Sequence, residues 1–346
     1  MRLGRGAILR THHQMGLSRT KSPPLHAGVR PQSPHPPYPH VKPNYGAKMQ
    51  YSQEEDDSPA LSKAGEKIIQ EVCGVFLFLA RAVDGGLLPA LSSLASQQAN
   101  PTERTMELCQ QFLDFMSCQE EAVLTYRASD MVLAIHSDAS YLSEPKSRSR
   151  AGGHMFMAGH DKIPINNGAV LNISQIIRAV MSSAAEAELG ALFINAKTAV
   201  SMRQTLIELG HPQPHTPMQT DNATAHALLT NKILPKALKA MDMRFHWLRC
   251  RDAQGQFRYY WRPGTQNLAD YFTKHHPATH HKSVRPTILT AVNDPEYRKL
   301  FVTQDASSPQ INVKSGGTKM SVIKNSFVKT LFQTPKFQSM ITARSA

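Results

Sequence analysis

The sequence predicts an α/β domain in the order βββαβααβα, preceded by a small helical segment and a basic leader without regular structure. Three observations carry this. From residue 131 onward short apolar runs alternate with Gly-containing breaks, the mark of strands. Residues 183–210 then keep one helical period for most of their length. Before residue 131 the patterns are either helical or absent.

Residues 1–50 hold eight prolines, five histidines, eight basic residues and no acid, and the stretch PPLHAGVRPQSPHPPYPHVKP keeps neither a helical nor a strand period. Residues 1–57 are therefore expected to be a disordered leader. The opening MRLGRGAILRTHHQMGLSRTKS is Arg-rich and acid-free, like a mitochondrial transit peptide in composition, although it forms no clean amphipathic helix. Ser58 and Pro59 are start signals for a helix carrying Ile68, Ile69, Val72, Phe76 and Leu79, and Leu87 to Ala95 reads as a shorter one. Asn100, Pro101 and Glu103 read as N-cap, N1 proline and N3 acid of a third helix, with Met106, Cys109, Leu113 and Met116 on its apolar face. Residues 58–128 thus read as a helical bundle.

In the domain 129–290, Met131 to Ile135, Gly153 to Ala158 and Gly168 to Ile173 read as three successive antiparallel strands. Ser183 with Glu186 forms a capping box for a helix reaching Gly210. Pro217 to Thr220 is a fourth strand, Asn222 to Leu229 and Lys236 to Arg251 are helices, Phe257 to Trp261 is a fifth strand, and Gln266 to Lys274 begins a last helix. Residues 291–346 read as a polar basic tail.

The net charge of +13 and pI near 9.7 favour a polyanionic partner. The longest apolar run, Val72 to Ala80, is far shorter than the roughly 18 residues of a membrane span. Four cysteines without CxxC spacing read as reduced core residues of an intracellular protein and exclude a disulfide scaffold or structural zinc. The expected compartment is cytoplasmic or nuclear, with mitochondrial targeting left open.

Four acids sit where elements begin or end: Asp138 after the first strand, Glu188 in the first turns of the long helix, Asp221 after the fourth strand and Asp270 in the last helix. A single such acid reads as a cap or a solvated residue, and the set reads as a site. At this point SDASY (137–141), SSAAEAELGAL (182–192), QTDNATA (219–225), FHWLR (245–249) and NLADYFTK (267–274) resemble, in order, the ribonuclease H domain of copia-type retrotransposon Pol polyproteins. A weaker resemblance at GVFLFLARAVD and the following helices is to the end of a reverse transcriptase.

The resemblance implies an RNase H-like fold, with a mixed five-stranded sheet flanked by helices. It also implies endonucleolytic hydrolysis of the RNA strand of RNA–DNA hybrids with two Mg²⁺ ions, Mn²⁺ serving as substitute. Carried over residue by residue, Asp138, Glu188, Asp221 and Asp270 become both the catalytic and the metal-binding set, with Asp138 bridging. Glu186 competes with Glu188, but the two stand about 200° apart around a helix, so only one faces the sheet; the family's E-A-E pattern selects Glu188.

Lys146 and Arg148, with Arg150 in the same KSRSR run, and Lys236, Lys239, Arg244 and Arg251 are expected along the phosphates. Asn222 and Asn267 are expected to contact substrate or orient water, and Tyr260 and Trp261 either stack on nucleotides or belong to the core. The alternative is a catalytically silent nucleic-acid-binding remnant; a DDE recombinase is disfavoured because Glu is second in order. Bacterial members carry a loop histidine before the last acid, which WRPGTQNLAD lacks, so product release is what this departure affects. His275, His276, His280 and His281 read as a loop, with adventitious metal binding the lesser reading. No YxDD-like pair is present, so polymerase activity is not expected. Self-association, or association with a reverse transcriptase, is assigned to 58–128.

Overall fold

The computed structural model describes residues 36–40, 56–117, 122–230, 242–291 and 321–324. Its centre is a five-stranded sheet in the order β4-β3-β2-β5-β6. The strands are β2 (Val132–Glu144), β3 (Arg148–Ala158), β4 (Ala169–Ile177), β5 (Thr216–Thr220) and β6 (Phe257–Trp261). The first three form an antiparallel meander, whereas β5 runs parallel to β2 and β6 parallel to β5. With α4 (Ala184–Glu208), α5 (Ala223–Thr230) and α6 (Asp242–Ala253) completing the order, this is an RNase H-like fold.

Alternation along β2 sets its two faces. Leu133 and Ile135, with Met155 and Met218, pack under Leu189, Leu192 and Ala196 of α4 and against Phe245, Leu248 and Phe257. Ser183 caps α4 by accepting the Glu186 amide at 3.2 Å, and the Glu186 carboxylate accepts the Ser182 amide at 2.9 Å. Glu186 is thereby held at the cap. On the opposite face a short 3-10 turn, Leu268–Phe272, replaces the start of the expected last helix; an α-helix, α7 (Ala278–Ile288), follows only after Pro277.

β2 extends nine residues past the expected end at Ile135, so Asp138 lies inside the strand, opposite Gly152, rather than just after it. Gly152 and Gly153 are interior to β3 and serve close approach rather than breakage. A Cβ on Gly152 would stand 2.4 Å from the Ala269 carbonyl oxygen, and one on Gly153 would stand 2.0 Å from Asn195 Oδ1 of α4. Both neighbouring layers thus press onto the sheet beside Asp138.

The segment before the sheet holds α1 (Lys63–Ala82), α2 (Leu88–Gln97) and α3 (Glu103–Ser117). The start signals lie later than expected: Ser62 caps α1, and the Thr102 hydroxyl accepts the Thr105 amide at the start of α3. Residues 122–126 are strand β1, not helix, and β1 pairs with β7 (Thr290–Ala291) and β8 (Ser321–Lys324), so the expected polar tail contributes a strand. The helices do not close on themselves. Phe76, Leu91, Leu94, Phe112 and Leu113 share one core with Tyr271, Phe272, Ile288 and Leu289. Their apolar face is covered by the last elements of the sheet domain, while Leu77 and Phe78 on the far side of α1 are exposed.

Two further corrections concern charged and histidine residues. Arg150 is fully buried, not phosphate-facing: its Nε donates to Glu144 at 2.7 Å, and its other nitrogens reach the Pro89 carbonyl, Ser93 and Ser174. Only such a full set of acceptors makes a buried guanidinium tolerable. Of the histidines after residue 274, His275, His276 and His281 are packed, whereas His280 on the first turn of α7 is exposed. His275 bonds Ser93 at 3.0 Å and stacks on Tyr38, His281 pairs with Tyr271, and burial holds His281 near 4, below the ordinary imidazole range. Pro36–His40, within the leader expected to be disordered, docks here. Gln111 donates to the Pro36 carbonyl, and His40 Nδ1 lies 2.8 Å from the His275 carbonyl.

Removing the guanidinium leaves Glu144 buried and unpaired. Arg150→Ala is expected to cost about 3–5 kcal/mol in chemical denaturation, whereas Lys146→Ala, at an exposed turn position, stays within about 0.5 kcal/mol.

Candidate active site

Asp138, Glu188 and Asp221 come from three different elements and converge. A carboxylate oxygen from each lies within 4.8 Å of the others. Asp138 is placed by β2, Glu188 by the second turn of α4, and Asp221 by the end of β5, whose carbonyl there accepts the Trp261 indole N–H at 2.8 Å. Glu188 is oriented by the Ala139 amide, which donates to its Oε1 at 3.2 Å, and by the Thr220 hydroxyl at 3.4 Å from Oε2. Glu186, spent on its cap, takes no part in this group.

Asp270 stands beside the trio. Its charge acts on both Asp138 and Asp221, while its own carboxylate pairs with Lys274 at 2.5 Å. The same carboxylate groups with His276 and His280, again within 4.8 Å.

Burial and mutual repulsion govern the electrostatics. Desolvation, followed by the charges of Asp270 and Asp221, pushes the Asp138 carboxyl up to about 7. Desolvation and then Asp138 raise Glu188 well above the usual range, and desolvation raises Asp221. A proton shared into this group relieves the repulsion. The Thr273 hydroxyl, which donates to Asp138 Oδ2 at 2.8 Å and lies 2.9 Å from the Asp270 carbonyl, offsets part of the rise at Asp138. A cation would relieve the same repulsion. The donors are all carboxylate oxygens, which suits a hard divalent ion, so the acidic cluster Asp138, Glu188 and Asp221 is able to bind metal.

The remaining site candidates separate. Lys146 is exposed at the β2–β3 turn in a left-handed conformation (φ 61°), and Arg148 is half-buried opposite Glu144. Arg244 lies over the Phe193 ring, 5.7 Å from its centroid. Lys236 and Lys239 fall outside the described residues. Asn267 is 5% exposed; its amide donates to the Ser137 carbonyl and its Oδ1 accepts the Ala269 amide, so it fastens the 268–272 turn to β2 instead of facing substrate. Asn222 Oδ1 accepts the Ala225 amide and caps α5. Trp261 is half exposed, and Tyr260 is partly buried with its hydroxyl raised to about 12 by desolvation.

Thr273, Thr220 and Asn195 were not legible as site residues. Thr273 and Thr220 sit next to motif acids, and that adjacency is the only signal they carry. Asn195, two turns along the same face of α4 as Glu188, donates to the Ser137 hydroxyl and the Gly152 carbonyl.

No family model matches the chain. Over 150 residues it is 25% identical to the retrovirus-related Pol polyprotein from transposon TNT 1-94 of Nicotiana tabacum. The matched stretch covers 43% of this chain and 11% of the tobacco polyprotein. Among solved structures, an RNase H1 isolated from compost superposes at 13% identity and a TM-score of 0.31, covering 41% of this chain and 93% of its own. The N-terminal RNase H domain of a Mycobacterium tuberculosis protein superposes at 15% identity and 0.29, covering 45% and 97%. The RNase H1 of Halobacterium salinarum does so at 12% identity and 0.26, covering 42% and 95%. Strand order and direction, not these scores, define the fold of the chain.

The Asp138 carboxyl titrates near 7 when folded and near 3.8 when unfolded, so the folded state pays for its ionisation as pH rises between those values. In chelator, Asp138→Asn is therefore expected to gain melting temperature relative to wild type as pH climbs from 3.8 to above 7, and wild type alone should regain it on addition of Mg²⁺. A pH-independent difference between the two proteins would remove the repulsion account.

Proposed function

We propose that residues 129–290 form a ribonuclease H that cleaves the RNA strand of RNA–DNA hybrids, with residues 58–128, three helices and strand β1, packed against its last elements. The observation that carries this is the convergence of Asp138, Glu188 and Asp221, oxygen donors only, from strand, helix and strand end of an RNase H-like sheet. The family resemblance at all three positions supports it.

In this reading the carboxylates of Asp138, Glu188, Asp221 and Asp270 hold two divalent cations, Mg²⁺ with Mn²⁺ as substitute. Bound there, such ions supply a nucleophilic water and stabilise the leaving oxygen of a phosphodiester. The protein's part is to gather and aim the acids, whose burial and mutual repulsion leave ionisation to be favoured by the bound cations. The Ala139 amide and Thr220 hydroxyl fix Glu188, and the Thr273 hydroxyl fixes Asp138 against the turn that carries Asp270. Lys274 neutralises one charge at Asp270. Lys146 and Arg148, at the β2–β3 turn, and Arg244 are assigned to backbone phosphates, which they would position without reading sequence.

The test is cleavage of a labelled RNA–DNA hybrid in Mg²⁺, with duplex RNA and duplex DNA as controls. Hybrid-only cleavage is expected, lost in chelator and reduced at least about 1000-fold in Asp138→Asn, the loss of several kcal/mol of charge stabilisation. Cleavage that persists in chelator overturns the metal-dependent mechanism. Binding of hybrid without cleavage assigns the chain to the alternative, a silent nucleic-acid-binding remnant.

A further inference from the structure

Asp270 faces two sets of neighbours. One is the carboxylate trio, all oxygen. The other is His276 and His280, whose ligand nitrogens lie with an Asp270 oxygen inside 4.8 Å. Two imidazoles and one carboxylate are a donor set for borderline cations such as Zn²⁺, Co²⁺ and Ni²⁺, not for Mg²⁺.

We propose that Asp270, His276 and His280 form a binding site for a transition-metal cation, Zn²⁺ foremost, that shares Asp270 with the neighbouring carboxylate trio.

The local chain builds this arrangement. Asp270 lies in the Leu268–Phe272 turn, His276 stands just before Pro277, the residue that caps α7, and His280 falls in the first turn of that helix. The cap therefore brings two rings four residues apart to one side, with centroids 4.5 Å apart. His276 is also fixed in orientation and tautomer. Its ring stacks on Tyr271 at 5.0 Å and 7°, and its Nε2 lies 3.2 Å from the Tyr271 carbonyl oxygen. A carbonyl only accepts, so Nε2 carries the hydrogen and Nδ1 presents its lone pair. A backbone carbonyl bonded to the far ring nitrogen is how metal-binding histidines are ordinarily oriented.

The geometry requires little rearrangement. Tetrahedral bonds of about 2.1 Å put ligand atoms about 3.4 Å apart, so the three atoms need to close by little more than an ångström. His280 is exposed, which leaves an open path for the ion and for a water as fourth ligand. Lys274 pairs with Oδ1 of Asp270 at 2.5 Å, so a cation at this site competes with or sits beside that ion pair. Ring stacking alone would account for the two histidines, but not for a carboxylate brought to both.

Sharing Asp270 couples the two sites, a consequence that rests on the proposed ribonuclease activity. A cation held by His276 and His280 draws Asp270 away from Asp138 and Asp221, so Zn²⁺ should inhibit Mg²⁺-dependent cleavage.

The experiment uses the full chain, stripped of metal, without nucleic acid. Co²⁺ is titrated with visible absorption as readout and Zn²⁺ by calorimetry, on wild type, His280→Ala and Asp138→Asn. The expected result is one cation whose affinity falls about 100-fold or more in His280→Ala and persists in Asp138→Asn. Unchanged affinity and spectrum in His280→Ala, or loss in Asp138→Asn alone, overturns the site. Exposure of His280 keeps that variant folded. In cleavage assays, Zn²⁺ inhibition weaker in His280→Ala than in wild type supports the coupling. Absence of all cleavage with the Co²⁺ site intact would refute the ribonuclease reading and leave this one standing.

Discussion

The close approach at Gly152 and Gly153 is the constraint on which the rest depends. Asp138 sits opposite Gly152 in the register, and the absence of side chains on β3 lets α4 press from one face and the 268–272 turn from the other. Asn195 reaches the Gly152 carbonyl and the Ser137 hydroxyl from the first side, and Asn267 reaches the Ser137 carbonyl from the second. Glu188 and Asp270 arrive at Asp138 because their elements are held at that distance. A methyl group at either glycine would push one of them away.

What is gathered there resists being gathered. Three carboxylates within 4.8 Å, two of them buried, repel one another and lose hydration, and nothing in the trio itself offsets that. The surrounding polar groups act as orienters: an amide and a hydroxyl on Glu188, a hydroxyl on Asp138. They fix direction more than they neutralise charge. The site is thereby poised for protons at low pH or a cation at higher pH, and Asp270, paired with Lys274, stands at its edge.

The helical segment is integral to this support. Arg150 ties β3 to α2 through Pro89 and Ser93, Asp84 pairs with Arg285 of α7 at 3.0 Å, and Tyr271 and Phe272 enter the helical core directly after Asp270. The turn that carries Asp270 is thus anchored from behind by residues far away in the chain. Pro36–His40 adds a strap over the same corner through His275.

The sequence by itself determined the order of elements across the sheet domain, the capping role of Glu186, and Asp138, Glu188 and Asp221 as a set, because periodicity, capping and motif spacing act over a few residues. It misjudged where contacts cross the chain. Arg150 reads like its neighbours Lys146 and Arg148, yet strand alternation and α2 bury it. Asn267 reads as a substrate-facing group and the late histidines as a loop, yet tertiary packing spends Asn267, His275 and His281 as ties. β1 lacks a local signal because its partners lie more than 160 residues away. Only the tertiary structure decided that Asp270 stands between two donor sets, because that depends on distances between elements, which sequence spacing does not encode.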